Sequence, residues 1–135
     1  MMSTPKLLFV CVKNGGKSQM AAALMRQRVG DAAEIRSAGT EPGAALNAQS
    51  VESLVAVGAS TEGEYPKPIT EADLRDSDLV IVLGEEAQLP EGAANVERWI
   101  TDEPSLRGIE GAQRMDLVRD DIAKRVDELA TRLGL

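Results

Sequence analysis

Short aliphatic runs alternate along the chain with longer stretches in which apolar residues recur at three- and four-residue spacing. Leu7, Leu8, Phe9 and Val10 form the first run, short and continuous like a strand buried on both faces. Met20, Leu24 and the alanines around them then predict a helix over about residues 18–29, with Gly30 suited to its left-handed C-terminal position. Residues 33–37 predict a second strand, closed by Ser37-Ala38-Gly39-Thr40, whose small side chains let backbones approach. Pro42 and Gly43 break the chain before Ala48, Val51, Leu54 and Val55, a helical pattern stopped by Gly58. Residues 60–69 are polar and punctuated by Gly63, Pro66 and Pro68, the composition of an exposed loop; Tyr65 falls in it as surface decoration or a flank for a ligand. Thr70-Glu71-Ala72-Asp73 is a capping signal for a short helix through Arg75. Residues 79–83 and 95–100 predict the third and fourth strands, separated by a loop over residues 84–92. From about residue 111 to 133, Leu117 or Val118, Ile122, Val126, Leu129 and Leu133 form the apolar stripe of a closing helix, ended by Gly134.

Strands that alternate with helices imply right-handed crossovers and an α/β fold with a doubly wound parallel sheet. The expected order of its four strands is 2-1-3-4, with ligands bound beyond the strand ends where that order reverses. A chain of 135 residues, 43% of them hydrophobic, fits a single domain over residues 1–135. Fifteen basic against 22 acidic residues give a formal charge of −7, which argues against nucleic acid or an anionic membrane as partner, so any attraction of an anion must be local. The start of the chain is polar, with no leader-like pattern, and the run after it is only a strand in length; the expected location is cytoplasmic. One cysteine allows no internal disulfide, and the absence of histidine removes Cys-His and Ser-His pairs and leaves no plausible zinc site. A catalytic acid must then be Asp, Glu, Tyr or a thiol.

The chemistry concentrates where the first strand gives way to the first helix, in Val10-Cys11-Val12-Lys13-Asn14-Gly15-Gly16-Lys17-Ser18. Consecutive backbone N–H groups in such a loop, followed by the positive end of a helix, make a concave site for a tetrahedral oxyanion. The same field favours the thiolate of Cys11 as a nucleophile. Val12, Lys13, Asn14, Gly15, Gly16, Lys17 and Ser18 would line the cradle, with Lys13 and Lys17 adding charge and the Ser18 hydroxyl capping the helix or bonding the sulfur. Gly16-Lys17-Ser18 also ends like a nucleotide-binding phosphate loop, but the first glycine of that motif would fall on Cys11, and the third strand runs into Gly84-Glu85 without a magnesium-binding Asp.

Cys11, Asn14, Lys17, Ser18, Gln19, Met20 and Ala21 resemble the anion loop of the low-molecular-weight protein tyrosine phosphatase superfamily, and more closely its arsenate reductase branch. The likeness continues through Ser37-Ala38-Gly39, Ser77-Asp78-Leu79-Val80 and Trp99-Ile100-Thr101-Asp102-Glu103-Pro104, in order over nearly the whole chain. The resemblance implies that Cys11 attacks arsenate held by the loop amides, that Ser37 buttresses the loop, and that a carboxylate before Pro104 protonates the departing oxygen. Register gives that role to Glu103 and residue type to Asp102. Related enzymes that use an internal disulfide cascade carry two further cysteines in and just after the loop following the third strand, where this chain has Gly84 and Leu89-Pro90. The resemblance therefore implies no bound cofactor but an external low-molecular-weight thiol, mycothiol or glutathione, and a glutaredoxin-like (mycoredoxin-like) reductant, as in the mycothiol-using enzymes of actinobacteria. Lys17 stands where the family usually has Arg, and it supplies a point charge in place of a planar fork. Phosphatase action through a phosphocysteine and non-catalytic oxyanion binding are the alternatives.

Overall fold

The computed structural model describes residues 4–135. Its elements run β1 (Lys6–Cys11), α1 (Lys17–Val29), β2 (Glu34–Gly39), α2 (Ala48–Val55), α3 (Glu71–Asp76), β3 (Leu79–Leu83), β4 (Val96–Trp99) and α4 (Gly111–Arg132), with 3-10 turns at Gly30–Ala32 and Pro104–Arg107. All strand pairs are parallel and the sheet order is β2-β1-β3-β4, as the alternation of patterns predicts.

The two-residue period of the strands divides the core. Leu7, Phe9, Ile81 and Leu83 face one side and pack with α1 and α4, through Met20, Leu24, Met25, Val118, Ile122, Val126 and Leu129. Leu8, Val10, Val80 and Val82 face the other, covered by Leu74 of α3 and Ala87. Phe9 and Trp99, whose ring centroids lie 5.9 Å apart, are both buried in the first layer. Burial on both faces explains why β1 and β3 read as unbroken aliphatic runs.

Several boundaries move. Strand β2 continues through Ser37-Ala38-Gly39 instead of turning there, because small side chains let it stay paired with β1 as far as Cys11 opposite Gly39. Gly30 does have positive φ (57°), but its ψ of −128° is not the left-handed helical cap; the chain enters a 3-10 turn there. Helix α4 stops at Arg132, leaving Leu133 at 39% exposure, off the buried stripe, while Val118 and not Leu117 occupies the core position. The capping box on Thr70 and Asp73 forms as expected. Residues 60–69 are only partly an exposed loop: Pro68 makes a parallel bridge with Gly39, which brings this segment against the end of β2. No helix among the described residues is long and apolar enough to cross a membrane.

Candidate active site

Cys11 ends β1 at the carboxyl edge of the sheet, 9% exposed. The chain then turns tightly into α1, with Asn14 in the left-handed region (φ 52°), a conformation that only asparagine and aspartate among side-chain-bearing residues adopt readily. Fully buried Asn14 is the hub of the turn. Its backbone N–H donates to Cys11 Sγ at 3.2 Å, its Nδ2 donates to Ser18 Oγ at 2.8 Å, and its Oδ1 accepts from the Lys67 N–H at 2.9 Å. Gln19 Nε2 donates to the Asn14 carbonyl at 3.1 Å and also reaches the Tyr65 carbonyl at 3.3 Å.

Ser18 Oγ lies 2.9 Å from Cys11 Sγ. Because the Asn14 amide already donates to that oxygen, the hydroxyl proton is free to point at the sulfur. Sulfur thus has an N–H and an O–H directed at it, the surroundings that solvate a thiolate.

The outer side of the loop is fixed by its carbonyls. Those of Cys11, Val12, Lys13 and Gly15 accept from the N–H groups of Thr40, Glu41, Gly43 and Asn47, at 2.8–3.1 Å. Pulling the carbonyls outward turns the amides inward: the N–H groups of Lys13, Gly15, Gly16, Lys17 and Ser18 have no acceptor among the described residues. With the start of α1, which carries no acidic residue in its first turn, they form an anion-binding concavity over the sulfur. Gly39 makes this packing possible. A Cβ there would lie 2.7 Å from the Val12 carbonyl oxygen and 2.9 Å from Asn14 Cβ.

Thr101, Asp102 and Glu103 follow β4 at the same edge of the sheet. Asp102 is held bidentately by Arg107 (2.7 and 3.0 Å), and its N–H donates to Asp121 of α4. Glu103 is held bidentately by Arg114 of α4 (2.6 and 3.0 Å). Hydrogen bonds from these guanidiniums hold both carboxyls below their usual range against the opposing effect of burial; for Glu103 the Lys17 ammonium adds to the lowering. Glu103 is therefore the carboxylate that shares an electrostatic environment with the loop. Asp102 turns toward the exposed Arg107.

A cleft of about 420 Å³ opens between the loop, the segment around Ala45 and the start of α4, lined by Lys13, Lys17, Met20, Asn47, Arg114 and Met115 among others. No aromatic side chain lines it. Ser37 Oγ is buried without a hydrogen-bond partner, and the backbone that contacts the loop begins two residues later, at Gly39. Tyr65 is 62% exposed with Lys67 Nζ 5.0 Å from its ring centroid; its contribution to the site is its carbonyl. Arg114 and Lys67 were not visible as site residues in the sequence: Lys67 acts through its backbone, and the eleven-residue separation of Arg114 from Glu103 is no motif. Among the described residues no group of three or more Cys, Asp or Glu side chains is placed to hold a metal ion.

Residues 6–134 match the family model described as low molecular weight phosphotyrosine protein phosphatase. The chain is 31% identical over 133 residues to a putative arsenate reductase of Halobacterium salinarum, covering 94% of this chain and 92% of that protein. It is 31% identical over 136 residues to an arsenate reductase of Bacillus subtilis, covering 96% and 97%. Among solved structures it is similar to a thioredoxin-dependent arsenate reductase of Corynebacterium glutamicum (30% identity, TM-score 0.78), where 96% of this chain spans 62% of the other.

Proposed function

From membership of the low molecular weight phosphotyrosine protein phosphatase family, to which this chain belongs, we propose that the protein is an arsenate reductase working as an arsenate thiol transferase. The observation that carries this reading is the solvated sulfur of Cys11 beneath an amide-lined cradle, in a chain with no second cysteine. Arsenate binds with its oxygens on the inward amides of the loop and on Lys17, which places arsenic above the sulfur. Cys11 attacks arsenic, an As–O bond breaks with loss of water, and a Cys11–arsenate adduct forms. An external low-molecular-weight thiol, mycothiol or glutathione, then displaces Cys11 from arsenic. A glutaredoxin-like (mycoredoxin-like) dithiol next attacks the sulfur of the released thiol–arsenate; an S–S bond forms and the electron pair of the broken S–As bond stays on arsenic, giving arsenite. Ser18 positions and solvates the sulfur, and Glu103, whose carboxylate feels the Lys17 charge, serves proton transfer. The thiol pool that this scheme draws on is that of the cytoplasm.

Hydrolysis of phosphotyrosine is the second reading, since the family carries that activity in its name. The cleft offers no aromatic wall, with Phe9 and Trp99 committed to the core and Tyr65 outside the lining, which favours a small inorganic oxyanion. Lys17 points the same way, being a weaker clamp for a phosphate ester than a planar Arg.

The test is arsenate-dependent NADPH oxidation by the purified protein coupled to a glutaredoxin-like protein, with mycothiol or glutathione as the thiol and Cys11→Ser as control. Turnover that requires one thiol and Cys11 is the expected result. Turnover with thioredoxin alone and no small thiol would remove the transferase mechanism, and cleavage of p-nitrophenyl phosphate without arsenate reduction would establish the phosphatase.

A further inference from the structure

The donors around Cys11 Sγ are aimed by Asn14, and Asn14 is held from outside by a segment that has no core of its own. Asn14 Nδ2 points at Ser18 Oγ while its Oδ1 is turned to the Lys67 N–H, 2.9 Å away; Gln19 Nε2 is a longer second donor to that oxygen, at 3.3 Å. The Lys67 carbonyl is fixed by the Gly39 N–H at 2.7 Å. Its N–H belongs to the Pro66–Lys67 peptide, so the direction of that donor is set by the residues before it. No residue from 60 to 69 is buried, and Glu64 and Tyr65 border a cleft of about 500 Å³ in place of a packed interior. Among the described residues, two polar contacts tie residues 60–66 to the rest of the molecule. One is Gln19 Nε2 on the Tyr65 carbonyl at 3.3 Å, and the other is Glu64 Oε1 with Arg26 Nη2 of α1 at 3.0 Å.

Resting on the reading of Cys11 as the nucleophile, we propose that Glu64 is a positioning residue for its sulfur, acting through Lys67, Asn14 and Ser18. Glu64 joins two cations from two elements, Arg26 on Oε1 and Lys67 Nζ on Oε2 at 2.9 Å. Arg26 is itself fixed, its Nη2 donating to the Ile35 carbonyl of β2 at 3.2 Å. Lys67 Nζ turns back to donate to the Tyr65 carbonyl at 2.8 Å, so the peptide that carries the Lys67 N–H is enclosed between bonded groups. The three side chains are only 20–33% exposed, where water and salt screen an ion pair less than on an open surface.

The relay then runs inward. Glu64 steadies the segment, the Lys67 N–H holds Asn14 Oδ1, Asn14 Nδ2 holds Ser18 Oγ, and the Ser18 hydroxyl proton points at the sulfur. The shape of the cradle does not depend on this relay, because the carbonyls of Cys11, Val12, Lys13 and Gly15 are bonded to N–H groups of residues 40–47. Two functions of one loop are therefore separable. Loss of Glu64 lowers the thiolate fraction of Cys11 and leaves the oxyanion site in place. Glutamine is the substitution that isolates the charge: its amide offers one acceptor oxygen for two cations and turns its own N–H groups on the other.

The experiment follows alkylation of Cys11, the chain's single cysteine, by iodoacetamide from pH 6 to pH 10 in the full-length protein, because the rate tracks the thiolate. In Glu64→Gln alkylation at pH 7 is expected to be about tenfold slower than in wild type, the loss of one hydrogen bond to a charged group. The two rates should converge at pH 10, where the thiol is ionised in both. Glu64→Asp, which keeps the charge, should recover part of the rate. Arg36→Gln should match wild type, since Arg36 lies on the same cleft but pairs with Glu34 and Asp73, outside the relay. Inorganic phosphate should protect Cys11 at the same concentration in wild type and Glu64→Gln. An unchanged rate at pH 7 in Glu64→Gln would overturn the proposal. So would a loss that persists at pH 10, which reports access to the sulfur and not its ionisation, or phosphate protection that disappears with the charge. Wild-type Cys11 that reacts at pH 7 no faster than free cysteine overturns the nucleophile reading itself and is distinct from these results.

Discussion

The two walls of the site are held by opposite means. The Cys11–Ser18 wall is backbone bonded to backbone, with one buried asparagine at its centre and no titrating group needed to keep its shape. The wall at Asp102–Glu103 is fixed by arginine forks on half-exposed carboxylates, and its N–H anchor is another carboxylate, Asp121. In the proposed reaction the difference follows the work of each. An oxyanion cradle must hold amides at fixed directions through the whole reaction, which favours rigid, pH-independent bonds. A proton-transfer group must stay accessible and change its charge, which long side chains permit.

If the first wall is rigid because backbones touch, the smallest addition to it does the most harm. Gly39→Ala places a Cβ inside van der Waals distance of Val12 and Asn14 backbone and side-chain atoms that have no room to retreat. We expect a loss of about 2–3 kcal/mol in urea unfolding and a fall in arsenate turnover of two orders of magnitude or more, the two effects arising together. Asn14→Ala comes next. It removes the bonds to Ser18 and Lys67 and leaves alanine at φ 52°, for an expected cost of about 2 kcal/mol and a turnover loss of at least tenfold, since the Ser18 hydroxyl is then free to rotate away from the sulfur.

This contrast also explains how much could be read beforehand. Continuous runs such as Leu79–Leu83 and the stripe of α4 reported burial directly, so the strand order and the position of Cys11 at a strand end were legible. The motif from Cys11 to Met20 was legible because its residues are neighbours in sequence. What closes the loop from outside was not. Thr40, Glu41, Gly43, Asn47 and Lys67 act through main-chain groups that any residue possesses, so their types carry no signal. Residues 37–39 looked like a turn because small residues serve both turns and close strand pairing, and only the partner strand decides between them. The choice between Asp102 and Glu103 could not be made from residue type or register; it turns on Arg107 and Arg114, which lie five and eleven residues from the carboxylates they hold.

The second wall is expected to betray its means of support in acid. Glu103 has its folded-state carboxyl below the usual range, so it contributes stability that is present above the ordinary carboxylate range and is lost as pH falls through the lowered value. The melting temperature of wild type should therefore exceed that of Glu103→Gln at pH 7, and the gap should close as pH is lowered below that range. A gap that stays constant with pH would mean that Glu103 is held by packing and not by its charge. The same titration applied to Asn14→Ala is expected to give a pH-independent gap, which is the contrast between the walls in a single measurement.

The least effect is expected from the outermost pair. Asp102 and Arg107 are both substantially exposed, and a solvent-exposed ion pair is weak because water and salt screen it, even with bidentate geometry. Arg107→Gln should leave the melting temperature near that of wild type, a small deficit at low salt disappearing in 1 M NaCl, and should leave thiol-dependent turnover unchanged. The value of this substitution lies in its pairing with Arg114→Gln. Each removes one guanidinium from one carboxylate of the same turn; the two differ in whether the released group shares the environment of Lys17 and in whether the lost arginine lines the cleft. If turnover responds to Arg114→Gln and not to Arg107→Gln, Glu103 is the working carboxylate. If the response is the reverse, the role passes to Asp102, and the alignment of Glu103 with the Cys11 loop serves anion attraction instead of proton transfer.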